Sequence, residues 1–286
     1  MSAIPHPIID VLSADSFAEA HIPGAVNLCI YETAFLDKVR TAFPDVAAAL
    51  TIYGWDDATR EAGMAAEKLT AAGYRNIAVL PGGLEGWKSR GGATERGNIP
   101  TRKTGSVRYE VDPAASFVRW TGRNLFNFHT GTLALSSGHV VVENGHLQSG
   151  RFTIDMMSLG CSDIMDSALN ATLIAHLRSD DFFAVNRFPN ADFVISSANL
   201  LAGATLGTPN YHIRGDFTLR GVTREIEFPA VIGQQSDGGY TAQAIFGIDR
   251  TQWGAIYGSG KFFARLGQHV VNDDIHLHLK VVTTAA

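Results

Sequence analysis

The chain has two cysteines, Cys29 and Cys161, and their separation decides what sulfur chemistry they support. They lie far apart, in segments of different character, so a structural disulfide framework is not expected. Two reduced and mostly buried thiols are the plain interpretation, and a redox or catalytic pair is the alternative.

A pair of neighbouring carboxylates, Asp56 and Asp57, follows the apolar run at 50–53. Such a pair is of the kind that hydrolyses a bound anion by general acid and base catalysis. The alternative is a helix N-cap pair that interacts favourably with the helix dipole, and we predict this capping role.

The chain also contains ten histidines. His276 and His278 share one face of the last predicted strand, but a zinc site needs three or four ligands with supporting partners. We therefore predict no metal site. Asp249 and Arg250 are adjacent, and we expect a salt bridge across a turn, with a contact to a ligand head group as the alternative.

Bulk composition limits the partners of the chain. Its 286 residues carry a net charge of −5, and no cluster of Lys and Arg is present, so nucleic acid is not expected as a partner. The segment 1–7 has neither a basic region nor a long apolar region, which predicts a cytoplasmic and unanchored protein. We expect no cofactor other than a bound ligand of the kind argued below.

Two kinds of element must position these residues. Before residue 100, short apolar runs alternate with helical segments, which predicts an α/β domain with a parallel sheet covered on both faces. The predicted strands are at 8–11, 25–28, 50–53 and 77–80, and the predicted helices begin at Ser13, follow Tyr31, run from 56 to 72 and lie near 84–87.

The second part of the chain reads as consecutive strands with alternating apolar and polar residues, as at 117–121 and 212–219. Turn residues at 143–145 and 236–239 separate them, and one helix is predicted at 166–179. A barrel is favoured over a sandwich because it leaves fewer exposed edges. We expect domains at 1–96 and 106–286, joined by a polar, Gly-rich linker at 97–105.

Residues 10–87 resemble the rhodanese family. The resemblance is carried by the sequence His-Ile-Pro-Gly-Ala at 21–25, Gly-Tyr-Arg-Asn-Ile at 73–77, and Leu-Pro-Gly-Gly-Leu-Glu-Gly-Trp at 80–87. It implies an α/β fold and, in active members, sulfur transfer through a cysteine persulfide held in a loop of backbone amides.

This sequence departs from that pattern at the catalytic position. The position of the family's cysteine is Gly54, and the degenerate loop continues through Trp55, Asp56, Asp57 and Arg60. Leu12 stands where family members commonly carry Arg. The resemblance therefore implies a catalytically inactive domain, and a sulfurtransferase that uses Cys29 instead is the alternative.

Residues 107–282 resemble the YceI-like, polyisoprenoid-binding family. Matching segments lie at 109–113 with 118–122, 150–156, 176–183 with 187–189, 215–223 and 246–254. The resemblance implies an all-β, lipocalin-like antiparallel barrel with one helical insertion and a hydrophobic lumen. From residue spacing alone, a barrel filled by its own side chains is the alternative.

A lumen of this kind predicts a set of inward-facing apolar residues, because alternate residues of a strand share a face. Of Phe182 and Phe183, one ring is expected to plug the lumen and the other to seal the outer surface. Phe126 and Phe128 are expected at a mouth. The full predicted ligand-binding set is Val118, Trp120, Phe126, Phe128, Phe152, Ile154, Phe182, Phe183, Phe193, Phe246, Ile248 and Trp253.

The sequence thus predicts a non-enzymatic carrier or sensor. Its barrel is expected to hold an isoprenoid, a quinone or a fatty amphiphile, loaded through transient membrane contact, while the degenerate rhodanese-like domain docks a protein partner or regulates binding. An enzyme, acting through Cys29 or through Asp56 and Asp57, is the rival interpretation. An interaction protein with a closed barrel is the third.

Overall fold

A computed structural model describes residues 7–97, 105–235 and 237–284. The chain divides into two compact units, 1–100 and 101–286. Most of the predicted linker, residues 98–104, lies outside the described residues, as does Ser236 of the predicted turn at 236–239. Within the described ranges, no helix combines the length and the apolar character needed to cross a membrane.

The N-terminal unit is the predicted parallel α/β domain. Its sheet has the strand order β2-β1-β3-β4, and every pairing is parallel. The central strand β3 is buried along almost its whole length, as expected for a strand covered on both faces. The elements are β1 (Ile8–Asp10), α1 (Ala14–Glu19), β2 (Val26–Asn27), α2 (Phe35–Ala42), β3 (Ala49–Tyr53), α3 (Glu61–Ala71), β4 (Asn76–Val79) and α4 (Gly83–Ser89).

One helix of this unit begins later than the sequence predicts. Helix α3 begins at Glu61 with Arg60 in the N-cap position, so the predicted start at residue 56 is wrong. Asp56 and Asp57 therefore do not cap α3. The Asp56 carboxylate instead accepts hydrogen bonds from two amides of its own loop, and the Asp57 carboxylate accepts one from the amide of Gly82, the N-cap residue of α4.

The C-terminal unit is the predicted antiparallel barrel. Its strands follow the order β5-β7-β6-β13-β12-β11-β10-β9-β8, and an additional pairing of β7 with β8 closes the sheet on itself. The elements are β5 (Ser106–Glu110), β6 (Phe117–Arg123), β7 (Phe128–Glu143), β8 (His146–Cys161), α5 (Ser167–Arg178), β9 (Asn190–Leu200), β10 (Tyr211–Leu219), β11 (Val222–Gln234), β12 (Tyr240–Asp249) and β13 (Asp274–Val282).

The first two strands of this unit share one position in the barrel. Both run antiparallel to β7, β5 against its second half and β6 against its first half. Val111, just after β5, forms a bridge with Thr283, while β6 pairs with β13. The strand is interrupted at 112–116 rather than doubled, so nine strands close an eight-position barrel.

Turns and close contacts fix the barrel geometry. The β7–β8 hairpin turns through Asn144 and Gly145, both with positive φ, as the Asn-Gly pair predicts. A Cβ on Gly131 of β7 would lie 1.7 Å from the carbonyl oxygen of Gly160, so only glycine permits this close strand contact. The one helix predicted for this unit is present as α5. The unit also contains two short 3₁₀ helices, Arg250–Trp253 and Gly267–His269.

Candidate functional site

The barrel contains two neighbouring cavities. The first, which we call the apolar cavity, has a volume of about 110 Å³, and the second, the helix-side cavity, has a volume of about 260 Å³. Four residues line both: Val118, Ile154, Phe217 and Leu277. The two cavities are therefore adjacent, and the barrel is not completely filled by its own side chains.

The apolar cavity is walled by aliphatic and aromatic side chains from eight strands. The rings of Phe228 and Phe246 stack at 4.1 Å between centroids, and Phe193 packs against Phe228 at 5.6 Å. Among its lining residues, polar atoms in the side chains are carried by Tyr240, Gln243 and Thr283. Such a wall favours a ligand by burial of apolar surface rather than by specific polar contacts.

The helix-side cavity has a different wall. Helix α5 covers it with Leu173 and Leu177, and Trp120 and Met156 line it from the strands. Its lining also includes Arg123, Asn124, His129, His176, Arg250, Tyr257 and Asn272. Arg123, Asn124 and Asn272 are exposed, so this cavity reaches the surface there, and we call this region the mouth.

Helix α5 is capped at its N-terminus and bonded to the barrel near both ends. Near the N-terminus, the Asn170 side chain donates to the carbonyl oxygen of Cys161 on β8 at 3.0 Å. The Asp166 carboxylate accepts from the backbone N–H groups of Ala168 and Leu169, which caps the N-terminus. At the other end, Arg178 donates to the carbonyl oxygen of Leu159 at 3.1 Å on β8. These contacts hold the leucines of α5 against the cavity.

The aromatic pair after α5 differs from its prediction. Phe182 and Phe183 are both buried and both line the helix-side cavity, so neither ring seals the outer surface. His176 meets the rings of Phe182 and Tyr257 edge-on, at 5.1 and 4.6 Å. The three rings form an aromatic wall beneath α5.

Arg250 is a buried cation that supports this wall. Its guanidinium lies 5.3 Å from the ring of Phe182 and donates to the carbonyl oxygens of Asn272, Ala255, Tyr257 and Val271. Burial lowers the pKa of the guanidinium, and the nearby charges of Asp273 and Asp249 oppose that shift. The predicted salt bridge with Asp249 is wrong, because Asp249 pairs with Lys261 at 2.7 Å.

Most of the predicted ligand-binding residues line the two cavities, and three do not. Val118, Trp120, Phe152, Ile154, Phe182, Phe183, Phe193, Phe246 and Ile248 line them. Phe126 and Phe128 are 74% and 55% exposed and lie outside the lining, because the β6–β7 turn carries their side chains into solvent. Trp253 is buried outside the lumen, where it packs on Phe217 and donates to that residue's carbonyl oxygen at 3.0 Å.

Sequence reasoning missed lining residues on β10, β11 and β13. Phe217, Phe228 and Leu277 belong to strands whose alternation is visible in the sequence, so their inward row could have been assigned once the neighbouring strands were known. On β13, Leu277 and Leu279 line the cavity, which places His276 and His278 together on the opposite, outward row.

The second predicted site, the loop at 54–60, we call the cradle loop. The amides of Ala58 and Thr59 both donate to Asp56 Oδ1, each at 2.9 Å, and the amide of Gly82 donates to Asp57 Oδ1 at 2.7 Å. Carboxylates of the protein thus occupy amides that could otherwise hold an anion. A Cβ on Gly54 would lie 3.3 Å from the Glu61 carboxylate.

Three other candidate groups of the N-terminal unit are buried. Cys29 is a buried free thiol on the segment that follows β2. At the end of β1, burial raises the pKa of Asp10 above its ordinary value, although hydrogen bonds from Tyr53, Leu12 and Asn27 oppose this. His21 contacts the carbonyl oxygen of Phe17 at 2.8 Å.

Two family models match the chain. The model of the YceI-like domain matches residues 109–283, and the model of the rhodanese-like domain matches residues 1–90. Curated relatives include a UPF0312 protein from Shewanella denitrificans, 41% identical over 70 residues, and one from Pseudomonas putida, 24% identical over 128 residues. These alignments cover 23% and 44% of this chain and 34% and 62% of the two relatives.

Several solved structures are similar to parts of the chain. Burkholderia cenocepacia BcnA is 22% identical with a TM-score of 0.47, over 61% of this chain and 99% of that one. A polyisoprenoid binding domain from Saccharophagus degradans is 15% identical with a TM-score of 0.44, over 62% and 98%. A rhodanese-like domain from Anabaena is 26% identical with a TM-score of 0.31, over 34% and 99%.

Proposed function

Because this chain belongs to the YceI-like domain family, and because its barrel is hollow, we propose that it binds one long-chain amphiphile in the lumen as a carrier or sensor. The isoprenoid class, including quinones with isoprenoid tails, is the favoured ligand, and a fatty amphiphile is the second choice. The observation that carries the proposal is the pair of adjacent, largely apolar cavities inside the barrel.

The volume and the wall chemistry support a chain-like guest. An apolar cavity of about 150 Å³ is enough to hold benzene, and the helix-side cavity alone exceeds that. Each buried methylene contributes about 0.8 kcal/mol, so ten of them contribute roughly 8 kcal/mol, which corresponds to about micromolar affinity before the costs of binding. Affinity therefore rises with chain length.

The distribution of polar side chains favours one orientation of the guest. Arg123, Asn124 and His129 lie at the mouth, whereas the apolar cavity offers little to a polar group. Because a buried polar group without a partner is costly, the tail belongs in the apolar cavity and the head group at the mouth.

The test is extraction of the purified protein with organic solvent, followed by mass spectrometry, and binding of geraniol, farnesol and geranylgeraniol by calorimetry. We expect affinity to increase with each added isoprene unit. Ala244→Phe, which fills the apolar cavity, is expected to weaken geranylgeraniol binding at least tenfold. Ile245→Phe on the outward face of the same strand is the matched control and keeps wild-type affinity.

An empty extract together with no binding of any of these alcohols would overturn the proposal. Equal loss of binding in the two β12 variants would show that Ala244→Phe acts by disturbing the strand and not by filling the lumen. The melting temperature of each variant, measured alongside, identifies this outcome.

For the N-terminal unit, the proposed role is docking of a protein partner or regulation, without sulfur transfer. Gly54 provides no thiol, and Asp56 occupies the amides of the cradle loop. A thiosulfate-to-cyanide assay on the wild-type protein is expected to give no thiocyanate. Activity that disappears in Cys29→Ala would instead establish the alternative, a sulfurtransferase with a relocated cysteine.

A further inference from the structure

Three side chains meet at the rim of the helix-side cavity, and of these the proposed function uses only His129. The Nδ1 atom of His129 lies 2.9 Å from Asp163 Oδ2, and the Cys161 Sγ atom lies 3.2 Å from Asp163 Oδ1. One potential ligand atom from each of the three residues lies within 4.8 Å of the other two.

The barrel brings these residues together across 34 positions of sequence. Gly131 on β7 pairs with Cys161 on β8, so His129 and Asp163, two residues further out on each side, come opposite one another. His129 and Cys161 belong to the inward rows that continue with the cavity residues Leu133 and Leu159.

The chemistry of the three groups matches a borderline transition metal. Zinc prefers thiolate and imidazole ligands and accepts carboxylate oxygen, whereas magnesium and calcium take oxygen ligands. The side chains of His129 and Asp163 are 31% and 27% exposed, so an ion can reach them from solvent.

Neighbouring groups already fix the ligands. The backbone N–H of Thr130 donates to Asp163 Oδ1 at 2.8 Å, and the Asn170 side chain of α5 donates to the Cys161 carbonyl oxygen at 3.0 Å. Supporting hydrogen bonds of this kind orient ligands and strengthen metal binding.

From this arrangement we propose that His129, Cys161 and Asp163 bind one divalent cation of the zinc class. Three protein ligands leave a fourth coordination position, which is taken by water or by a small ligand at the mouth. Binding deprotonates the Cys161 thiol and releases that proton to solvent, while the imidazole nitrogen and the carboxylate bind without further loss of protons. The proposal stands on these three residues and does not depend on lipid binding.

The test is titration of the reduced, full-length protein with Co²⁺, followed by displacement with Zn²⁺. We expect one equivalent of Co²⁺ to produce a near-ultraviolet charge-transfer band from sulfur to cobalt, and Zn²⁺ to abolish it. Cys161→Ser should lose the band, and His129→Ala and Asp163→Asn should each weaken Zn²⁺ binding at least tenfold in calorimetry.

Cys29→Ser is the matched control, because it removes the other thiol and should keep the band. The proposal is overturned if the wild-type protein gives no band, if Cys161→Ser keeps it, or if Zn²⁺ affinity is unchanged in His129→Ala and Asp163→Asn. Circular dichroism of each variant separates loss of ligands from loss of fold, and any variant that unfolds is replaced by Cys161→Ala or His129→Gln.

Discussion

Arg250 contacts the Phe182 ring of the aromatic wall and also binds several backbone carbonyl oxygens near that wall. The side chain is 1% exposed, and its donors are satisfied by backbone carbonyls of the segments around 255–257 and 271–272. Removing the guanidinium leaves the buried carbonyl oxygens without hydrogen-bond donors. The resulting loss of folding free energy is larger than the net contribution of an ordinary hydrogen bond.

We expect Arg250→Ala to lower the free energy of unfolding of the barrel by about 3–5 kcal/mol. Arg250→Lys should recover little of it, because an ammonium group cannot replace the planar fork of donors. Urea denaturation measures both, with the exposed Arg119→Lys as control. A full recovery by lysine would show that charge alone, and not the geometry of the donors, is required.

Asp249 provides a pH-dependent contribution. Burial raises the pKa of its carboxyl, but hydrogen bonds from Lys261 and Thr251 outweigh burial and hold the pKa below its ordinary value. Because folding favours the charged form, the stability it adds is present above the ordinary aspartate pKa of about 4 and is lost as the pH falls through the lowered pKa.

Accordingly, Asp249→Asn should lower the melting temperature at neutral pH, and the difference from wild type should shrink in acid. Thermal melts between about pH 7 and pH 3 measure this, and the exposed Asp216→Asn serves as control. A difference that is the same at every pH would contradict the expected role of the charge.

Among the elements, the cradle loop shows most clearly which structural features could be predicted from the sequence and which could not. Gly54, where the rhodanese resemblance leads one to expect a cysteine, is visible in the sequence. The hydrogen-bond partners of Asp56 and Asp57 are not, because helix capping and loop capping use the same residue types. In the structure, Asp56 caps the loop, and helix α3 begins five residues later than predicted.

This geometry predicts that restoring the cysteine alone is not enough. In Gly54→Cys, the loop amides remain bound to Asp56, and the Glu61 carboxylate lies beside the new side chain, which raises the pKa of the thiol. We expect no thiosulfate-to-cyanide transfer from Gly54→Cys and measurable transfer only when Asp56→Gly and Glu61→Gln are added. Activity in the single variant would show that these carboxylates do not block the reaction.

The sequence predicted that the C-terminal unit consists of strands, but it did not predict which distant residues those strands bring into contact. Alternation and Asn-Gly turns identify strands and hairpins, as at Asn144 and Gly145. Phe126 and Phe128 are exposed at the β6–β7 turn and do not line either cavity. Contacts between distant strands, such as that of His129 with Asp163, depend on register, which a single sequence does not reveal.

At the scale of the whole molecule, each unit has cores of its own. One cluster of buried residues lies within the barrel, and two others lie within the N-terminal unit. Differential scanning calorimetry should therefore resolve two transitions. Geranylgeraniol at 100 times its dissociation constant should stabilise the barrel by about 2.7 kcal/mol and leave the other transition unchanged. A shift of both transitions would show that the units unfold together.

The hollow interior itself could not be read from residue types. The same aromatic and aliphatic residues fill a solid barrel or surround a lumen, and the difference depends on how far facing side chains reach across. Three of the buried residues that line the cavities are alanines, Ala191, Ala230 and Ala244, and larger side chains at these positions would take up part of the open volume.

Those alanines make the capacity of the lumen adjustable one methyl group at a time. Exchange of Ala230 or Ala244 for Val or Leu shortens the space at one end without touching the polar residues at the other. Preference for a short or a long tail is thus separable from recognition of the head group. Proteins with the same barrel can therefore come to accept different tail lengths through single substitutions at these positions.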